Sequence, residues 1–173
     1  PYFKGGMKPI KVVIDREQDR AAPRGTGDIK AGGNYASSIL SGEKAHDLGY
    51  SNVMYLDAAE HKYIEECGAA NFFGIRDGLY VTPKSPSILP SITNKSLRQL
   101  AEDMGLKVEE RHIPVEELDR FDEAGACGTA AVISPIESIY DLDTGKMVTY
   151  GKEVGKYSLE LYTQLQDIQY GRR

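Results

Sequence analysis

Residues 25–35 read Gly-Thr-Gly-Asp-Ile-Lys-Ala-Gly-Gly-Asn-Tyr, with four glycines among the nine residues 25–33. A loop so rich in glycine needs unusual backbone angles or the close approach of another group. It fits neither common phosphate motif: Lys30 takes the place of the last glycine of G-x-G-x-x-G, and a P-loop would need a glycine directly before that lysine. On the residues alone, Lys30 is either a solvated side chain on a surface turn or a nucleophile held ahead of Asn34 and Tyr35.

The overall composition is that of an ordinary globular chain. Its 173 residues are 40% hydrophobic and 27% charged, and the net charge of −5 argues against a generic nucleic-acid binder. No apolar run approaches the roughly 18 residues that would indicate a membrane span. Cys67 and Cys127 form no C-x-x-C pair and predict a reducing, cytoplasmic location. The first six residues show no signal-peptide pattern, and the missing initiator Met suggests a piece of a longer protein.

Strand-like and helix-like stretches follow one another without a regular strand–helix–strand repeat, which favours an α+β fold. The predicted strands are residues 8–15, 52–57, 63–67, 71–76, 78–82 and 106–113, with an apolar stretch at 130–140. Helices are predicted over residues 34–48, from about Thr93 to Gly105, over 115–121 and over 157–170. Asp77-Gly78 predicts a tight hairpin turn.

A nucleophilic lysine can form a Schiff base with a carbonyl compound, including pyridoxal phosphate. A site for that cofactor also needs a partner for the pyridine nitrogen, a hydrogen-bond donor for the phenolic oxygen and amides for the phosphate. The sequence offers Glu65-Glu66, Tyr35 and Ile92-Thr93 for these three tasks in turn.

Five short motifs occur in order along the chain: KAGGNY (30–35), ECGAANFF (66–73), ILPSIT (88–93), EER (109–111) and GTAA (128–131). Together they resemble the C-terminal large domain of branched-chain amino-acid aminotransferases, the fold-type IV pyridoxal phosphate enzymes. The resemblance implies a barrel-like mixed β-sheet flanked by helices. It also implies a ping-pong transfer of the amino group from leucine, isoleucine or valine to 2-oxoglutarate, a reaction of branched-chain amino-acid biosynthesis.

The resemblance assigns roles to individual residues. Lys30 matches the lysine that holds pyridoxal 5'-phosphate as an internal aldimine and moves the substrate proton. Glu66 matches the carboxylate that faces the pyridine nitrogen, whereas strand alternation places its neighbour Glu65 on the opposite, solvated side. Tyr35 matches the tyrosine that hydrogen-bonds the phenolic oxygen.

The remaining matches concern anionic groups of cofactor and substrate. Ile92 and Thr93 match the phosphate-binding start of a helix, where the side chain of Ile92 should matter little. Thr129 matches a further phosphate ligand, and the amides of Thr129 and Ala130 resemble those that receive the substrate carboxylate.

The chain also departs from the family pattern. Family members carry a preceding small domain, which supplies a phosphate-binding arginine and much of the substrate pocket; residues 1–173 are expected to form the cofactor-binding domain alone. Ser91 and Asn94 stand where many members have glycine and arginine. A redox C-x-x-C found in some members is replaced by Ala131 and Ser134. The resemblance further implies a homodimer.

Two other functions stay open at this stage. Another fold-type IV enzyme, a D-amino-acid aminotransferase or aminodeoxychorismate lyase, would share the fold, and a chain without its partner domain could be an incompetent cofactor-binding or structural fragment. A metal site is not expected, because the three histidines (His46, His61, His112) have no ligand spacing. The acidic pairs 109–110 and 116–117 are expected to be solvated.

Overall fold

The computed structural model describes residues 7–173, and residues 1–6, to which the signal-peptide prediction applies, lie outside this range. Nine strands form one sheet. The strands are β1 (Ile10–Ile14), β2 (Asn52–Leu56), β3 (Ile64–Cys67), β4 (Ala70–Arg76), β5 (Leu79–Pro83), β6 (Lys107–Arg111), β7 (Glu123–Gly128), β8 (Val132–Asp141) and β9 (Met147–Thr149). The helices are α1 (Gly32–Ala36), α2 (Ile39–Asp47), α3 (Ile92–Asp103) and α4 (Lys156–Gln169), with a 3₁₀ turn at Val115–Arg120.

Six of the strands close into a barrel. The order β3-β2-β1-β8-β7-β4 returns to its start because β4 also pairs with β3, while β5 and β6 extend the sheet from β4 and β9 pairs with β8. Parallel and antiparallel pairs are mixed: β1 is parallel to both β2 and β8, and the other barrel pairs are antiparallel. The predicted α+β fold with a barrel-like mixed sheet is confirmed.

The two faces of the barrel wall bury separate cores. One core takes residues from all six barrel strands, including Ile10, Met54, Phe72 and Ala126. On the outer face, α3 and α4 cover a second core that includes Phe73 and Leu97, and α2 covers a smaller one around Tyr55. This arrangement leaves the loop that carries Lys30 at the end of the wall formed by β3 and β4.

Tight hairpins fix the register on both sides of β4. Asp77 and Gly78 both have positive φ, as the predicted Asp-Gly turn requires, and Arg76 faces Leu79 across it. At the other end, Gly68 also has positive φ, and an added Cβ there would overlap the Asn52 side chain. Glycine is therefore required at the tip of the β3–β4 hairpin.

The structure departs from the sequence predictions at several elements. The predicted helix over 34–48 is broken at Ser37–Ser38 into α1 and α2, the 115–121 helix is a 3₁₀ turn, and β7 and β9 were not predicted. Glu117 is buried rather than solvated, since the Arg111 guanidinium hydrogen-bonds its carboxylate and lowers the pKa of Glu117.

Candidate active site

Lys30, Tyr35 and Glu66 line a single cleft beside the β3–β4 hairpin, together with Asn34, Gly68 and Leu89. The Lys30 ammonium donates a hydrogen bond to the Tyr35 hydroxyl at 3.1 Å. Asn34 fastens the loop from within, because its side-chain amide donates to the carbonyls of Thr26 (2.7 Å) and Ile29 (2.8 Å). The glycine-rich loop is thus an ordered turn that brings an amine and a phenol to the same opening.

Glu66 is the buried acid of the cleft. Its Oε1 accepts the backbone N–H of Leu89 at 2.7 Å, and its Oε2 lies 3.5 Å from the Arg20 guanidinium. Burial raises the pKa of the Glu66 carboxyl to about 7, although Arg20 and the Leu89 N–H act in the opposite direction. A carboxylate held in this way accepts a further proton donor from the cleft readily.

The prediction that Glu65 is solvated was wrong. Glu65 is only 4% exposed and accepts a hydrogen bond from the Ser85 hydroxyl at 2.6 Å. On β2, Tyr55 faces Glu66 and the next residue, Leu56, faces Ile64, so Glu65 is an extra residue in the ladder. This β-bulge breaks the alternation on which the prediction depended, and both adjacent carboxylates are buried.

The start of α3 lies next to this cleft. Ile92 lines an adjoining cleft that shares Leu89 with the first, and only three residues separate Leu89 from Ile92, a chain length of at most about 11 Å. The Ile92 side chain is 77% exposed, and Thr93 is buried. The first N–H groups of a 12-residue helix have no partners within the helix, so this end can receive an anion.

The two unusual residues of this segment have structural tasks. Ser91 is the N-cap of α3, and its hydroxyl accepts the Asn94 N–H at 3.2 Å. The Asn94 side chain points inward, where it accepts from Tyr80 (2.8 Å) and donates to Thr82 (2.9 Å). Asn94 therefore anchors the helix start to the sheet.

The structure does not bring Thr129 and Ala130 into the cleft with Lys30. Both are exposed, in the turn between β7 and β8. Across the sheet, Glu66 faces Asn71 and Asn71 faces Cys127, so the turn follows at the same end of the barrel. Val132, directly after this turn, has a φ of +63°, a strained conformation for a β-branched residue and one that concentrates at functional sites.

Arg20 is a member of the cleft that the sequence did not indicate. It is buried in the connector after β1, and a single arginine in a charged stretch carries no pattern. Only the fold, which places this connector behind β3, shows its relation to Glu66.

The donor set of the cleft fits pyridoxal phosphate. It combines an amine, a phenol beside it and a buried carboxylate, with a helix start within reach of the carboxylate's own hydrogen-bond partner, Leu89. It does not have the composition of a metal centre: among residues 7–173, no three His, Cys, Asp or Glu side chains are grouped to hold an ion. No helix of the described range is long and apolar enough to cross a membrane.

Comparison with known proteins agrees with this geometry. Residues 3–139 match the family model for amino-transferase class IV. The chain belongs to this family. It is 51% identical to the branched-chain-amino-acid aminotransferase of Helicobacter pylori over 175 residues, which is 99% of this chain and 51% of the relative.

Solved structures of aminotransferases share the fold. The branched-chain amino acid aminotransferase of Thermobaculum terrenum in its PLP form matches with a TM-score of 0.83 and 33% identity, over 95% of this chain and 52% of that one. A second branched-chain amino acid aminotransferase, from T.th. and complexed with N-(5'-phosphopyridoxyl)-L-glutamate, matches with a TM-score of 0.79 and 26% identity, over 95% and 53%. The resemblance drawn from the five motifs is confirmed, and the chain spans about half the length of the aminotransferases it matches.

Proposed function

We propose that this chain is the cofactor-binding large domain of a branched-chain amino-acid aminotransferase that uses pyridoxal 5'-phosphate. The observation that carries the proposal is the single cleft that joins the Lys30 amine, the Tyr35 hydroxyl and the Glu66 carboxylate. The activity would transfer the amino group of leucine, isoleucine or valine to 2-oxoglutarate. A preceding small domain, absent from residues 1–173, would complete the substrate pocket.

Each residue has a task that follows from its chemistry. When bound, the cofactor supplies an aldehyde that exchanges with amines and a ring that withdraws electrons. Lys30 binds the cofactor covalently and, when free, moves the proton at the substrate Cα. Tyr35 donates its hydroxyl proton to the phenolic oxygen, and Glu66 holds negative charge where the ring nitrogen lies. The amides of Ile92 and Thr93, with Thr129, would hold the phosphate, and the turn at Thr129-Ala130 would receive the substrate carboxylate.

The choice of substrates rests on the relatives. The name of the H. pylori relative indicates branched-chain amino acids, and the phosphopyridoxyl-glutamate adduct in the T.th. structure supports 2-oxoglutarate as the acceptor. The homodimer and the cytoplasmic location stay predictions.

A two-stage experiment tests the proposal. The chain is first mixed with pyridoxal phosphate, and capture is followed by visible absorbance and by reduction with borohydride. Leucine, D-alanine and aminodeoxychorismate are then offered to the complete protein in single half-reactions. We expect capture and a leucine-dependent loss of the visible band; a colourless chain would favour the incompetent fragment, and conversion of either other compound alone would favour the other fold-type IV enzymes.

A further inference from the structure

Arg20 is a buried cation behind the cleft, only 7% exposed. One terminal nitrogen lies 3.5 Å from Glu66 Oε2. The other donates to two backbone carbonyls, that of Ser87 and, at 3.3 Å, that of Gly27. Three segments of the cleft therefore meet at one guanidinium: the loop before Lys30, the strand of Glu66 and the segment that leads to α3.

The surroundings of Glu66 explain why a cation is needed there. Loss of water opposes the charged form of Glu66, and the adjacent buried carboxyl of Glu65 opposes it further. The charged groups that face Glu66 from other segments are Arg20 and Lys30, and both favour the carboxylate. Of these two, Lys30 is exposed and would be consumed in binding the cofactor.

The other elements packed against Glu66 contribute no charge. Asn71 on β4 is its uncharged register partner. Tyr55, its partner on β2, is directed to the Ser41 hydroxyl at 2.5 Å, and burial raises the pKa of this tyrosine. Burial likewise raises the pKa of the thiols of Cys67 and Cys127, so that both stay neutral.

We propose that Arg20 is a positioning residue for the reaction: it keeps Glu66 charged and aimed at the ring nitrogen, and it fixes the Lys30 loop against the segment that precedes α3. The inference rests on the proposed function and deepens it, because the ring can accept electrons well only while a carboxylate faces its nitrogen. Arg20 itself touches neither substrate nor reacting atoms in this role.

The first test uses the chain without cofactor. The side-chain carboxyls of glutamate are labelled with ¹³C, the Glu66 signal is identified by its loss in Glu66→Gln, and its titration is followed by NMR. We expect the midpoint of Glu66 to rise by about one pH unit or more in Arg20→Gln and to change little in Arg20→Lys, which retains the charge. Arg16→Gln, which removes a different arginine paired with Asp141, should leave the midpoint unchanged.

Loss of folding in Arg20→Gln would be informative as well. Removal of a buried cation leaves an uncompensated carboxylate, so the double variant Arg20→Gln/Glu66→Gln should regain stability relative to the single variant. A double variant that is at least as unstable as Arg20→Gln, or a Glu66 midpoint that is the same in wild type and Arg20→Gln, would overturn the inference.

The second test uses pyridoxal phosphate labelled with ¹⁵N in the ring. We expect the ring nitrogen to be protonated at neutral pH in the wild type and in Arg20→Lys, and to lose this proton in Arg20→Gln. A purely structural role would lower stability without moving the nitrogen signal, and that result would contradict the inference alone. A wild-type chain that captures no cofactor would instead overturn the proposed function, and with it the catalytic meaning of Arg20.

Discussion

The backbone N–H of Leu89 donates to Glu66 Oε1 at 2.7 Å, and this bond joins the two ends of the candidate cofactor site. Leu89 lies three residues before α3, whose start would hold the phosphate, while Glu66 would face the ring nitrogen. The Asn71 side chain fastens the same residue by donating to the Leu89 carbonyl at 3.0 Å. Movement of one end of the site is thus transmitted to the other.

The charge of Glu66 can be removed while its hydrogen bond to Leu89 is kept. In Glu66→Gln the side-chain carbonyl can still accept the Leu89 N–H, so we expect the affinity for pyridoxal phosphate to fall less than tenfold. Proton abstraction from leucine should slow by about 10²–10³-fold, because the electrostatic support matters most in the transition state. Stopped-flow half-reactions of the complete protein and cofactor titrations measure the two effects; equal losses in rate and affinity would contradict the assignment.

Glu66 should also make the stability of the cofactor-free chain depend on pH. Its pKa is about 7 in the folded state against 4.5 for the ordinary carboxyl, so between these values the folded chain binds more protons than the unfolded chain. Rising pH therefore destabilises the wild type in this window. Relative to wild type, Glu66→Gln should gain about 3 kcal/mol at most between pH 4.5 and 7.

Urea unfolding at both ends of this pH window provides the measurement. Glu43→Gln, at an exposed position of α2, serves as the control and should show no comparable gain. A stability difference between Glu66→Gln and wild type that does not change with pH would show that Glu66 is ionised normally in the folded chain.

Gly27 is the glycine of the Lys30 loop that the structure requires. An added Cβ would overlap the Ser87 carbonyl oxygen and lie 2.8 Å from the Ala21 Cβ, whereas a Cβ on Gly32 would meet nothing within 4 Å. We expect Gly27→Ala to destabilise the chain by about 2 kcal/mol and to weaken cofactor capture. Gly32→Ala, at the start of α1, should be neutral or stabilising by up to about 1 kcal/mol. Thermal melts of the two variants decide the matter, and equal melting temperatures would refute the packing argument.

The hydroxyl of Tyr35 is expected to orient the cofactor without being needed for its capture. Tyr35→Phe removes one hydrogen bond, which is worth about 1.5 kcal/mol at most, so the affinity for pyridoxal phosphate should fall by roughly tenfold or less. Borohydride should still fix the cofactor on the protein. Tyr170→Phe, at an exposed position beyond α4, is the matched control, and a Tyr35→Phe variant with unchanged affinity would remove this tyrosine from the site.

Much of the fold could be predicted from local patterns. The strands β1 to β5 lie within two residues of their predicted bounds, since apolar runs between turn signals mark them. The strand β7 was missed because its sequence, Glu-Ala-Gly-Ala-Cys-Gly, lacks large β-formers. Its small residues make room for neighbours: a Cβ on Gly125 would overlap the Phe73 ring. Such a strand is defined by what packs on it.

The site was predictable only as far as motifs reach. Lys30, Tyr35 and Glu66 belong to recognisable motifs, and the fold brings them together. The burial of Glu65 depends on a bulge in β3, and the role of Arg20 depends on a connector that passes behind that strand. Both are consequences of tertiary pairing, which leaves no periodic signal in the sequence.

Covalent capture of the cofactor by Lys30 is the central claim, and peptide mapping after borohydride reduction tests it most directly. The wild-type chain and Lys107→Ala, an exposed lysine on β6, should each carry one phosphopyridoxyl group on the peptide that contains Lys30. Lys30→Ala should carry none on any specific residue and should show no visible band with pyridoxal phosphate. Stoichiometric labelling of another lysine in the wild type, or an unchanged band in Lys30→Ala, would contradict the account.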